Sequence, residues 1–170
     1  MAHQNIHRAF GVYGIITIDG KLVVIKKNGG PYINRFDLPG GSLEDGELLK
    51  DAINREIHEE TGLEVSKITQ LGITSFKYPW DYLDYTINQH ITVFYEVQEF
   101  AGQIMASVTQ FAGQDSLGAL LVNLDQLNIN NASPLVLKAK DYIQSGLFDT
   151  SDTIIETWQV LSENERVFGN

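Results

Sequence analysis

The chain has 170 residues, 12 basic against 22 acidic for a formal net charge of −10, and no cysteine. The length allows one domain with a real core, and 43% hydrophobic with 20% charged content is ordinary for a soluble globular protein. Absent cysteine excludes a disulfide framework and thiol chemistry; no apolar run of membrane length and no signal-peptide pattern is present; and the acidic balance argues against gripping long nucleic acid through its phosphates. These features fit a cytoplasmic protein with no membrane partner, while small anionic ligands stay compatible because a bound cation offsets local negative charge.

Phe10 to Ile18 is rich in Val, Ile and aromatics and predicts a strand. Asp19-Gly20 predicts a hairpin turn into a second strand over 21–26, and Asn28 to Pro31 is loop by composition. Phe36 to Gly41 predicts a short strand entering a turn, followed by a helix from about Glu47 to Glu60 that Gly62 stops. Residues 65–74 and 75–78 are strand material, 78–85 an aromatic loop or hairpin tip, and 90–100 a long strand. Residues 101–115 are divided between strand and loop, and 119–124 form another strand. Ser133-Pro134 is an N-cap followed by Pro at the first helical position, predicting a helix to about Gln144. The tail from Phe148 carries scattered large apolar residues and is expected to pack as a short helix or extended arm. The expected whole is one domain, 1–170, with a core over about 8–147 and a tail over 148–170. Its order of elements predicts an α/β fold, a mixed sheet between helices.

The helix over 47–60 carries the chemistry. At about 100° per residue from Glu47, Leu48, Leu49, Ala52, Ile53 and Ile57 share one arc. Glu56, Glu59 and Glu60 fall at roughly 180°, 120° and 220°, on the face that should be buried. Three crowded, desolvated carboxylates repel. A divalent cation relieves all three, and hard oxygen donors suit Mg²⁺ or Mn²⁺ better than Zn²⁺. The competing reading, a solvated acidic helix end, opposes the helix dipole.

Gly41, Glu47, Arg55, Glu56, Ile57, Glu59, Glu60, Gly62 and Leu63 stand at the spacing of a known motif. The pattern is a glycine, five residues, a glutamate, seven residues, then R-E-(apolar)-x-E-E-x-G-(apolar). It resembles the complete Nudix box, and looser similarity in element order runs from Phe10 to about Leu147. The resemblance implies an α/β/α sandwich with the box as a loop–helix–loop at the sheet edge. It implies a Mg²⁺-dependent hydrolase, with Mn²⁺ as an alternative ion, that cleaves the pyrophosphate linkage of a nucleoside diphosphate derivative. ADP-ribose, nucleotide sugars, dinucleoside polyphosphates and nucleoside triphosphates all stay open, as does a homodimer.

By the same resemblance, Glu59 and Glu60 are direct ligands, and Glu56 is a ligand or the group that orients or deprotonates the attacking water. The Gly40 carbonyl completes the metal shell, and Glu47 has an outer role. Arg55 pairs with a box carboxylate and orients it; an ordinary salt bridge to Asp51 or Glu59 is the competing reading. A further ligand is expected before the last strand, with Asp115 the candidate, Gln114 the alternative, and a solvated loop aspartate the competing reading. Glu96 and Glu99 are weaker candidates.

Base recognition needs stacking surfaces and a few polar contacts. Tyr78, Trp80 and Tyr82 are the candidates, within an aromatic patch that includes Tyr85 and has Tyr32 and Phe36 before the box; packing or a dimer contact is the competing role. Arg8, Lys26, Lys27 and Arg35 are cations for phosphates or simply for solvent, with Arg35 carried forward as the substrate candidate. His58 should be exposed and His90 packed in its strand. A non-catalytic nucleotide sensor on the same fold is the alternative function, disfavoured because every box glutamate is kept. An isomerase of the isopentenyl diphosphate kind wants a cysteine that this chain lacks.

Overall fold

The computed structural model describes residues 5–169, so the outermost residues of the expected 1–170 unit lie outside the described ones. In chain order the elements are β1 (Ile6–Ile15), β2 (Thr17–Ile18), β3 (Lys21–Lys27), β4 (Phe36–Asp37), β5 (Gly40–Gly41), α1 (Leu49–Thr61), β6 (Glu64–Tyr82), β7 (Tyr85–Ala101), β8 (Ser116–Val122), α2 (Pro134–Ser145) and β9 (Thr153–Ile154). One sheet runs β5-β1-β7-β6-β9, and it is mixed because β1 lies parallel to β7 but β6 antiparallel to it. In the second sheet β3 pairs antiparallel with β2, β4 and β8.

Strand side chains alternate between faces, and here the alternation sorts them between two helices. Val12, Val23, Ile25, Val93 and Tyr95 pack with Ala52, Ile53 and Ile57 of α1. Tyr13, Ile15, Leu22, Val24, Phe76 and Phe94 pack with Leu135, Val136 and Ala139 of α2. The fold is therefore α/β, with mixed sheet between two helices. Both helices end at a left-handed glycine, Gly62 and Gly146. Ser133 caps α2 by accepting from the Val136 N–H. Among the described residues no helix is long and apolar enough to cross a membrane.

Several expectations need correction. The helix begins at Leu49, so Glu47 precedes it rather than opening it. Residues 64–82 form one strand, so of the two readings of 78–85 the hairpin tip holds and the loop does not: the turn is Leu83-Asp84, with Tyr78, Trp80 and Tyr82 inside β6. Cross-strand pairing with β7 holds these residues extended. Residues 102–115 form no strand. The tail takes one of its two expected forms, the extended arm: β9 joins β6 in parallel, and a single 3-10 turn lies at Glu163–Glu165.

Candidate active site

The acidic end is built around Arg55. Its guanidinium donates from Nε to Glu47 Oε1 at 2.7 Å and from Nη2 to Glu47 Oε2 at 2.9 Å, a bidentate pair. Nη1 reaches Glu56 Oε1 at 3.0 Å and Glu59 Oε2 at 3.3 Å, and Nη2 also donates to the Ser42 carbonyl. The partners are thus box carboxylates, not Asp51. The hydrogen bonds from Arg55 hold the Glu47 carboxyl down at about 2. Glu47 also accepts the Glu44 N–H, closing the turn before α1.

Glu60 is buried on the inner face of α1, and its Oε2 accepts the Gly40 N–H at 2.8 Å. Its Oε1 is buried without a hydrogen-bond partner. Burial, helped by the negative charges of Asp115 and Glu56, pushes this carboxyl well above its ordinary range. Burial likewise raises Glu56. Gly40 sits at φ +149, and a Cβ there would lie 2.1 Å from the Val12 carbonyl oxygen. Only glycine lets this backbone approach Glu60 and β1 so closely. At Gly41 a Cβ would meet Glu56 Oε1 at 2.7 Å.

These residues fit a hard cation. A buried carboxylate oxygen with no partner is costly, and an ion beside Glu60, Glu56 and Asp115 would satisfy it with oxygen donors. Among the described residues no three acidic or histidine side chains already stand in an ion-holding cluster. Glu56 and Glu59 are turned onto Arg55 instead.

Asp115 lies just before β8, and the loop over 111–115 faces the box across a cleft of about 300 Å³ lined by Glu56, Glu59, Arg55 and Phe111. Asp115 makes a short ion pair with Lys27 Nζ, and Asp37 Oδ2 lies 3.9 Å from the same nitrogen. Burial alone would favour neutral Lys27, but Asp115 and Asp37 outweigh it and hold the ammonium form above its ordinary pKa. Burial pushes Asp37 up to about 6, against Lys27 and hydrogen bonds from Ser133 Oγ and the Leu38 N–H. Gln114 donates to the Glu59 carbonyl.

Asp115 also borders a second cavity, about 320 Å³, whose walls include Tyr13, Lys27, Asp37, Tyr32, His90, Trp80, Tyr82 and His7. Trp80 and Tyr82 stack on each other at 4.5 Å, with His7 edge-on to both. His7 Nδ1 hydrogen-bonds Asn88 Oδ1 at 2.8 Å, and Asn88 Nδ2 donates to Tyr78 Oη at 2.7 Å. His90 is held at both ring nitrogens, Nε2 by Tyr13 Oη and Nδ1 by Tyr32 Oη, each at 2.9 Å. Burial, with the positive charges of Lys27 and His7, pulls its pKa down to about 3, so it is neutral.

Two expected substrate residues are corrected. Arg35 is buried; it donates to the carbonyls of Ile129, Asn130 and Gln159 and stacks on Trp158, so it is committed to structure. Tyr78 is 1% exposed and packs behind Tyr32 and Trp158. Glu96 instead accepts from Tyr142, and Glu99 faces Lys67. His58 is exposed beside Glu64.

Asp37, Asn88, His7 and Tyr13 were not among the expected site residues, while Lys27, expected to meet phosphates or solvent, is buried in an ion pair instead. A signal existed for some: Lys27 lies two residues after buried Ile25, Asp37 stands between Phe36 and Leu38, and His90 is in step with Thr92 and Phe94 on the inner face of β7. A charge in step with buried residues calls for a partner.

A family model, the NUDIX domain, matches residues 5–143. An ADP-ribose pyrophosphatase of Methanocaldococcus jannaschii is 44% identical over 70 residues, which is 41% of this chain and 41% of that protein, so the match spans less than half of the relative's length. An 8-oxo-dGTP diphosphatase of Proteus vulgaris is 32% identical over 87 residues, 51% of this chain and 67% of that protein. Among solved structures, a MutT NUDIX hydrolase from Burkholderia pseudomallei superposes with a TM-score of 0.63 at 22% identity, covering 79% of this chain and 97% of that one. A MutT protein from Bacillus halodurans gives 0.58 at 17% identity, covering 91% and 95%. These structural likenesses speak to fold alone. The match over most of the chain, with the box glutamates gathered about Arg55 and Gly40, makes the chain a member of the Nudix domain family.

Proposed function

We propose that this chain hydrolyses the pyrophosphate linkage of a nucleoside diphosphate derivative in a divalent-cation-dependent reaction, with ADP-ribose the first substrate to test. The observation that carries the reading is the unpartnered, buried Oε1 of Glu60 beside Glu56 and Asp115. Glu59, Glu60, Asp115 and the Gly40 carbonyl are the groups we assign to hold Mg²⁺ or Mn²⁺. When bound, such an ion neutralises the diphosphate oxygens and makes a water nucleophilic at neutral pH. Glu56, tethered by Arg55, is ligand or orienting base for that water. Arg55, itself clamped by Glu47, sets the directions of Glu56 and Glu59. Lys27 lends positive charge between the acidic cleft and the aromatic cavity. Trp80, Tyr82 and Tyr32 offer flat faces for a base, with His7 edge-on to the first two.

Incubation of the purified chain with ADP-ribose and Mg²⁺ should release AMP and ribose 5-phosphate, read by phosphatase-coupled phosphate release. Excess chelator and Glu60→Gln should each abolish it. Unchanged turnover under both treatments would sink the proposal. The identity with the archaeal ADP-ribose pyrophosphatase supports beginning with that substrate, and the similarity to the bacterial diphosphatase supports 8-oxo-dGTP as the second.

A further inference from the structure

The arm after α2 lies beyond the segment that matches the family model, which ends at residue 143. It returns to the aromatic cavity and grips the segment that forms one wall. Trp158 Nε1 donates to the Pro31 carbonyl at 2.8 Å, and its ring packs edge-on against Tyr32 at 5.6 Å. Three more links hold the following residues: Asn34 Nδ2 to the Leu161 carbonyl, the Val167 N–H to the Asn34 carbonyl, and Arg35 to the Gln159 carbonyl. Pro31 and Tyr32 both line the cavity, and Tyr32 Oη is one of the two hydroxyls that hold His90. The segment from Gly30 to Asn34 has little regular structure, a single 3-10 turn. The Asn34 N–H ties its end to the Lys27 carbonyl, Tyr32 packs on Tyr78 and His90, and the arm covers its other side.

We propose that the C-terminal arm is the backing of one wall of the substrate cavity, with Trp158 a positioning residue that sets Tyr32 and, through it, His90. The substrate contact belongs to Tyr32; Trp158 acts through it. This rests on the hydrolase reading above for its kinetic test, so a binding test is paired with it.

In the full chain with Mg²⁺ and ADP-ribose, Trp158→Ala should raise KM about fivefold to tenfold, the worth of a lost aromatic pair, with kcat held within about twofold. Trp158→Phe should recover most of the loss. The Mg²⁺ concentration giving half-maximal rate should not move, because the acidic cleft does not touch the arm. An unchanged KM in folded Trp158→Ala, or a fall in kcat alone, overturns the proposal. Hydrogen exchange of the wild-type chain in EDTA, with and without ADP-ribose, decides the matter should Trp158→Ala not fold or the wild-type chain not turn over ADP-ribose. Slower exchange at the Val167 amide on binding supports the arm as the backing of that wall. Protection at His7 and Trp80 without any at Val167 overturns it. No protection anywhere also overturns it, whereas protection without turnover leaves the arm standing and removes the hydrolase reading for this substrate.

Discussion

The acidic cleft and the aromatic cavity meet at Asp115 but are assembled by different means. In the cleft, Glu47, Arg55, Glu56, Glu59 and Glu60 come from one turn and one helix; Arg55 meets its glutamates one to eight residues away, and Glu60 meets Gly40 across 20. In the cavity, His7 meets Asn88 across 81 positions, Tyr32 meets His90 across 58, and Trp158 meets Pro31 across 127. The cleft is a local device whose charges are set by helical phase. The cavity is a product of the whole fold, with strands and the turn at Gly30–Tyr32 supplying its walls and the arm packed behind that turn. On the proposed function, reaction chemistry falls to the local device and discrimination among substrates to the long-range one.

Substitutions should separate the two regions. The largest effect belongs to Glu60→Gln, which removes the charge of the buried carboxylate; kcat on ADP-ribose should fall at least about 100-fold, the scale of losing several kcal/mol of charge stabilisation, with KM far less affected. Next is Arg55→Ala, which frees Glu47, Glu56 and Glu59 together and should weaken Mn²⁺ binding about 10-fold to 100-fold by calorimetry. Arg55→Lys should not restore it, because an ammonium cannot reproduce the fork on Glu47. In the cavity, Trp80→Ala should raise KM about 5-fold or more, at the lower end of what base stacking contributes, and leave the Mn²⁺ affinity alone. A shift in Mn²⁺ affinity with Trp80→Ala would erase the distinction between the regions.

The smallest effect is on stability and pH. His90 has a folded pKa of about 3 against an ordinary 6.5, lowered by burial first and then by Lys27 and His7. The unfolded chain takes up a proton there below about pH 6.5 while the folded chain does not, so stability falls as pH drops from 6.5 toward 3. His90→Gln removes that slope. Between pH 7 and pH 5 the variant should lose about 1–2 kcal/mol less than the parent, as measured by urea unfolding at each pH. Equal losses would mean that His90 is not neutral in the folded chain.

What was legible in the sequence follows the same division. The inward phase of Glu60, the C-cap at Gly62 and the capped start of α2 at Ser133 depend on neighbours a few residues away, and periodicity and capping chemistry expose them. Asp115 could be placed by its position before β8 but not by its partner, since Lys27 lies 88 residues earlier. Lys27 reads as a surface cation until β3 is covered on both faces. Arg35 reads as a phosphate ligand until the loop before α2 and the arm take its donors. The aromatic stretch 78–85 reads equally as a loop or a hairpin tip, and β7 decides between them by supplying the partners that keep all but its tip extended. In each case the deciding atom lies far away in the chain, and local propensity carries no record of it.

The central claim is that the carboxylates of α1, with Arg55 setting their directions, close on a divalent cation beside Glu60. Crystals soaked in Mn²⁺ and measured at a wavelength with manganese anomalous scattering test it directly. The account predicts an anomalous peak within coordination distance of Glu60 Oε1, with Glu56 or Glu59 turned toward it, and no peak in Glu60→Gln. A peak that persists in Glu60→Gln, or Mn²⁺ bound only at surface acids while Glu60 Oε1 stays unpartnered, would contradict it.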